Sequence, residues 1–264
     1  MTINITPQLR HTGAAYVGYA NFLETLAPTI TAESEEAGFA KENAATWASY
    51  EKWQSVTVGT SWWRASFASP VQVDCFGVYK HNFGDASVTL TCQYSTNGGS
   101  SWNTLEAVTP GDNETIFHVE IGGAVTAQDW RFQTSGATAA ALVGVFFLGK
   151  ATLLLDLETG FTPPKLWPVD EFLNQQSEGG EFLGRSLLRR GSKSRLELTR
   201  ALQPWLETNW EPFIEAAKAH PWFFGWDLQS HPDETYFCYT DKRFRPGSLG
   251  PVNYGNVSLE FLAL

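Results

Sequence analysis

The sequence predicts a mainly β protein in two units, a jelly-roll β-sandwich followed by a second β-barrel or sandwich with one flanking α-helix. Three observations carry that prediction. Apolar residues recur with period two in short runs from about residue 56 onward. Turn signals separate the runs, as in HNFGD, STNGGSS, TPGDN and IGGA. One segment near residue 210 has helical spacing.

The clearest strand is VTLTCQY, in which Val88, Leu90, Cys92 and Tyr94 face one way and Thr89, Thr91 and Gln93 the other. VDCFGVYK (73–80), TIFHVEI (115–121), DWRFQTS (129–135) and ALVGVFFLG (141–149) are further short runs rich in branched and aromatic residues. They define a first domain over 1–155. A proline-rich connection, 156–168, contains FTPPKLWP and reads as extended chain. The second domain, 169–264, opens with strands at about 182–190 and 194–200 on either side of Arg190-Gly191-Ser192. A helix over about 204–219 follows. Thr208 and Glu211 form a capping-box pattern, and Trp210, Phe213, Ile214 and Ala217 share one face. His220-Pro221 ends it, and WFFGWDL, TYFCYTD and NVSLEFLAL are the closing strands. The terminal VSLEFLAL is either an edge strand or a strand inside its own sheet.

Composition excludes several classes. The chain has 264 residues, enough for one large core or two moderate ones, with 11 Trp and 18 Phe to fill them. No apolar run approaches the ~20 residues of a membrane helix, and no charged-then-apolar leader opens the chain, so neither membrane insertion nor a secretory address is expected. The net charge is −10 and both halves are acidic, which disfavours a nucleic-acid partner. The basic cluster Arg185, Arg189, Arg190, Lys193 and Arg195 reads as a solvated hairpin. Cys75, Cys92 and Cys238 are too scattered for a disulfide framework or zinc knuckle and read as apolar filler in a reducing compartment.

Five segments, in order, resemble a discoidin-like, coagulation-factor C-type domain of the galactose-binding-like jelly rolls. They are AGFAKENAATWASYEKW, SWWRASFASPVQVDCFGVYKHN, VTLTCQYSTNGGSSW, AQDWRFQTSG and VGVFFLG. In VTLTCQYSTNGGSSW the Asn97-Gly98-Gly99 turn reverses the chain, and Trp102 folds back on the sheet as a structural residue. The resemblance implies a non-catalytic module that binds through loops at one end. Loop 47–63 is the candidate surface, with Trp47, Tyr50, Trp62 and Trp63 available to stack on sugar rings and Trp53 packed inside. Strand alternation turns one of Trp62 and Trp63 inward. His81 and Asn82, at a strand end, either donate to a ligand or cap the sheet. The calcium site of some relatives is not carried over, because Asp74, Asp85 and Asp112 form no recognisable oxygen cage.

YVGYANFL, TITAESEEAGFAKENA and VDCFGVYKHNFG are similar to the discoidin-like modules of tailed-bacteriophage structural proteins. The helix followed by WFFGWDLQSHPDETYFCYTD and VSLEFLAL resembles tail-tube-like and distal-tail-type domains, with the two domains in the reverse of the better-known order. The resemblance implies a virion protein of the tail tip or baseplate, assembled in the bacterial host cytoplasm. It implies a ring of copies, trimer or hexamer, neighbouring tail proteins and a host surface glycan as partners. The alternative is a stand-alone carbohydrate-binding or receptor-binding adaptor. No catalytic residue, cofactor or metal is assigned, since the sequence holds no H-E-x-x-H, G-x-S-x-G, P-loop or dinucleotide fingerprint. HPDE (231–234) reads as a turn, and Glu33, Glu35 and Glu36 sit in a polar stretch without a cleft.

Overall fold

Two antiparallel sheets face each other across an aromatic core in the first half of the chain. This is seen in a computed structural model that describes residues 14–120, 122–154, 157, 161–189, 191–240, 247–248 and 253–264. The five-stranded sheet runs Thr29–Ala32, Ser61–Val73, Val125–Ser135, Thr89–Ser95 and Asn103–Val108. The four-stranded sheet runs Trp53–Gln54, Leu142–Gly149, Cys75–His81 and Ile116–Val119. The period-two pattern has its physical cause here. Val88, Leu90 and Cys92 are fully buried while Thr89, Thr91 and Gln93 are partly exposed. Trp53, Trp63, Phe76, Phe83, Trp130, Phe132 and Phe146 fill the space between the sheets.

LVGVFFLG does not alternate, and the structure gives the reason. Strand Leu142–Gly149 is buried on both faces. Phe146 points into the sandwich, whereas Phe147 packs against Phe117, Phe223 and Trp47 on the opposite side. There the short strand Tyr16–Gly18 lies between Ala151–Leu153 and Trp222–Gly225. Close packing requires glycine at two points. A Cβ on Gly77 would come within 2.7 Å of Phe223, and one on Gly18 within 2.9 Å of Phe117.

The chain divides into two compact units that are not simply sequential. Unit 1 takes the residues up to Leu153 together with Trp222–Tyr236, and unit 2 takes Leu154–Pro221 with Phe237–Leu264. Residues 222–236, expected in the second domain, cluster with the first because Trp222–Gly225 pairs with Tyr16–Gly18.

In unit 2 the long strands Ser192–Leu202 and Tyr254–Ala263 are antiparallel partners. Cys238 and Tyr239, and Gly247–Ser248, pair with the other edge of Tyr254–Ala263, so the terminal strand lies inside its sheet and is not an edge. Among the described residues no sheet closes into the barrel offered as one form of this domain. The strands around residue 190 do not form a hairpin either. Phe182–Arg189 pairs back to Glu171–Gln176 across a turn at 177–181, in which Gly180 has φ +84°. Arg190 lies outside the described residues.

The helical segment runs from Gln203 to Ala219, one residue earlier than expected. Thr208 caps nothing, because it sits within a π turn over Leu206–Trp210. Pro212 explains that turn. It has no N–H for the carbonyl four residues back and its ring crowds that carbonyl, so the helix widens ahead of it. The predicted face is the buried one, formed by Trp210, Phe213, Ile214 and Ala217. No helix among the described residues is long and apolar enough to cross a membrane.

Candidate functional site

Strand register brings the segments 33–60, 82–88, 109–115 and 136–141 to one end of the sandwich, since Ala32 pairs Trp63, Ser61 pairs Thr134, Thr89 pairs Ser135 and His81 pairs Val143. The Ser34 hydroxyl ties the two ends of segment 33–60 together through Ser55 and Thr57 at 3.0 and 3.1 Å. Two tryptophans complete the seal. Trp53 Nε1 donates to the Ser34 carbonyl at 3.1 Å and Trp63 Nε1 to the Lys41 carbonyl at 2.8 Å, with both rings fully buried.

Four of the six candidate residues are thereby drawn into packing. Trp63 lies 4.9 Å from Phe146 in the core, and Trp47 rests 5.7 Å from Phe147. His81 Nε2 donates to the Glu114 carbonyl at 2.6 Å while Nδ1 accepts from the Phe83 amide at 3.2 Å, which assigns the Nε2–H tautomer. Burial pushes its pKa down to about 4, so the ring is neutral at physiological pH. Asn82 donates to the Ala140 carbonyl and accepts from the Leu142 amide, each at 2.9 Å. His81 and Asn82 cap the sheet. Tyr50, 81% exposed, and Trp62, half-buried, keep surface for a ligand.

Trp62 belongs to a larger surface that reading the loop alone overlooks. Along Ser61–Val73, Trp62, Arg64 and Ser66 alternate with buried Trp63, Ala65 and Phe67, so they stand on the outer face of the five-stranded sheet. Cross-strand pairing sets Gln133 beside Trp62, Arg131 beside Arg64, and Gln93 beside Arg131. Arg131 donates from Nε and Nη2 to Gln93 Oε1 at 2.9 and 2.6 Å, and from Nη2 to Gln133 Oε1 at 3.3 Å. Arg64 Nη2 donates to Asp129 Oδ1 at 2.8 Å and to the Gly98 carbonyl at 3.2 Å. Both guanidinium groups stand over the Trp102 ring, Arg131 at 4.2 Å and Arg64 at 5.5 Å from its centroid. Burial, and after it the neighbouring Arg64 charge, lowers the Arg131 pKa. Trp102 therefore does fold back on its sheet, carried there by Gly98 and Gly99 at φ +73° and +85°, and it supports cations. Alternation in SWWRAS and DWRFQTS already put Trp62, Arg64, Arg131 and Gln133 on polar faces. Their meeting depended on a register that local pattern does not contain.

The acidic candidates are engaged locally. Asp74 Oδ1 accepts from the Ala151 amide, Asp85 Oδ2 from Asn113, Asp112 Oδ1 from the Glu114 amide, and Glu35 pairs with Lys41 at 3.2 Å. HPDE is a closed turn in which Glu234 Oε2 accepts from Trp226 Nε1 and His231 stacks on that indole at 4.6 Å. Among the described residues no group of three or more His, Cys, Asp or Glu side chains is placed to hold a metal.

No protein-family model matches the chain, and no curated protein matches it. Solved structures do. Chitosan-binding module 1 from the chitosanase/glucanase of Paenibacillus sp. IK-5 aligns at 24% identity over 49% of this chain and 98% of its own, with a TM-score of 0.43. Chitosan-binding module 2 of the same enzyme, solved with chitotriose, aligns at 20% identity over 47% and 96%, with a TM-score of 0.40. A pectin-binding carbohydrate-binding module aligns at 16% identity over 46% and 88%, with a TM-score of 0.39. These alignments cover about half of this chain. At these identities and TM-scores the likeness says nothing about which residues meet a ligand.

Proposed function

We propose that the protein is a non-enzymatic component of a bacteriophage tail tip or baseplate, in which unit 1 recognises a glycan and unit 2 joins copies into a ring. One observation carries the assembly half of this reading. The hairpin Glu171–Gln176 with Phe182–Arg189 is a two-stranded sheet of its own, exposed along nearly its whole length. Phe182 and Leu183 are each 64% exposed and Leu188 58% exposed. Phe172 and Leu187 are cross-strand partners on one face, while Leu173, the next residue, points to the other. A two-stranded ribbon is at best marginally stable in water, and an apolar surface of this kind marks an interaction site. A second copy of the chain is the occupant that lets each hairpin be covered by the next until a ring closes.

The recognition half rests on Trp62 and Tyr50, aromatic surfaces beside polar groups. Binding without catalysis is supported by the loop-end carboxylates of Asp85, Asp112 and Glu35, which are held by amide N–H groups and, for Glu35, by the Lys41 ammonium as well. Assembly in a reducing cytoplasm before incorporation into the virion is supported by Cys75, Cys92 and Cys238, which are buried and in no disulfide.

Size-exclusion chromatography with light scattering tests the assembly. A trimer, hexamer or similar closed ring is expected. A strict monomer that retains sugar would favour the second reading, a stand-alone carbohydrate-binding or receptor-binding adaptor, which the placement of Trp62 and its polar neighbours within unit 1 alone supports.

A further inference from the structure

We infer that the outer face of the five-stranded sheet, from Trp62 across Arg64 and Arg131 to Trp102, takes an acidic sugar unit, with the carboxylate of a uronate over the paired guanidinium groups. The inference rests on the glycan-binding reading of unit 1 and names the class of sugar.

Hydrogen-bond donors without partners among the described residues line this face. Each arginine leaves one terminal nitrogen, Nη1, without an acceptor among the described residues, because the bonds of Arg64 run through Nη2 and those of Arg131 through Nε and Nη2. Gln93 and Gln133 both spend their carbonyl oxygens on Arg131, which leaves their amide N–H groups pointing elsewhere. Trp62 Nε1 has no acceptor among the described residues, unlike Trp53 and Trp63. The face therefore presents donors and few acceptors, and it matches a ligand rich in acceptor oxygens.

Charge points the same way. Of the two guanidinium groups Arg64 alone bonds a carboxylate, that of Asp129, which is 3% exposed and also accepts from Ser66 at 2.7 Å. The hydrogen-bond partners of Arg131 are neutral amides, so the cluster keeps a positive charge on a chain whose net charge is −10. Two like charges over one indole repel each other, an anion between them would relieve that repulsion, and a planar carboxylate suits guanidinium geometry. Distance suits a sugar chain as well. Trp62 and Arg64 are two residues apart on one strand, about 7 Å. A pyranose stacked on Trp62 thus sets its neighbour's carboxylate over the arginines.

The test is retention of the full chain by polygalacturonate and by a neutral galactan, each as the immobilised probe. The wild type should hold polygalacturonate more tightly, with binding weakened by added salt. Arg131→Gln should weaken polygalacturonate binding about tenfold or more, as expected for a lost charge-assisted hydrogen bond, and weaken galactan binding far less. Should that variant fail to fold, Gln133→Glu, which sets a competing carboxylate beside Arg131, should give the same selective loss. Equal retention of both polymers by the wild type, or an acidic-polymer affinity untouched by either folded variant, would sink the acidic-sugar inference alone. Retention of dextran sulfate as strong as that of polygalacturonate would reduce the site to diffuse charge attraction and overturn it too. Failure to hold either polymer would overturn the glycan reading itself.

Discussion

Phe132 and Phe146 lie face to face across the sandwich, ring centroids 4.3 Å apart and planes 4° from parallel. One comes from each sheet, and Trp63 packs on both, at 6.1 Å and 4.9 Å. This contact joins the layers at the centre of the core. Phe132→Ala should cost about 3–5 kcal/mol, the range for removing a buried aromatic. Thermal unfolding checks it, and a loss below ~1 kcal/mol would mean that the two layers are held together elsewhere.

Adjacent tryptophans should behave oppositely. Trp63→Ala removes a fully buried ring and the bond to the Lys41 carbonyl, so it should destabilise unit 1 by about 3–5 kcal/mol. Trp62→Ala should leave stability within about 0.5 kcal/mol yet weaken glycan retention by roughly 1–3 kcal/mol. Thermal melts paired with retention assays separate the two effects. Unchanged retention by a folded Trp62→Ala protein would place that residue among the structural ones.

His81 makes stability depend on pH. Its folded pKa is about 4 against 6.5 for the free side chain, so between these values the unfolded chain binds the extra proton. The stabilising contribution is whole above about pH 6.5 and is lost progressively as the pH falls toward about 4, by about 3 kcal/mol in all. His118, lowered mainly by burial, acts in the same direction. Denaturant titrations from pH 7 to 4 should show this slope, and His81→Gln should flatten it. An identical slope in the variant would assign the acid sensitivity to other groups.

The hairpin offers a test of assembly without touching the core. Phe182→Asp together with Leu183→Asp places charges on side chains that are mostly exposed in the single chain. The double variant should sediment as a monomer while its melting stays near that of the wild type. Retention of the ring by this variant would show that the hairpin is not the joint between copies.

Local pattern was enough for much of the fold. Alternation in VTLTCQY set which residues turn inward, because successive strand side chains point to opposite faces whatever the neighbouring strand. The Asn97-Gly98-Gly99 turn was readable for a similar reason, since glycine reaches positive φ without Cβ strain. The helix and its buried face were legible from spacing, but a capping role for Thr208 was misleading, because Pro212 reshapes the turn before it in a way that a Thr208-Glu211 pattern cannot convey. The candidate site was half legible. The aromatic loop was visible, yet Trp47, Trp63, His81 and Asn82 went into packing through contacts with residues 22 to 100 positions away.

By itself the sequence determined the mainly β character, the strand faces, the turns and the surplus of aromatic rings, all properties of neighbouring residues. Tertiary structure alone decided that residues 222–236 cluster with the first unit, that 171–176 pairs with 182–189, and that Arg64 stands beside Arg131 over Trp102. The physical reason is common to all three. Period two says which side of a strand a residue faces, whereas partner and register are set by the closure of a whole core, and a slip of one residue would turn each arginine to the other face.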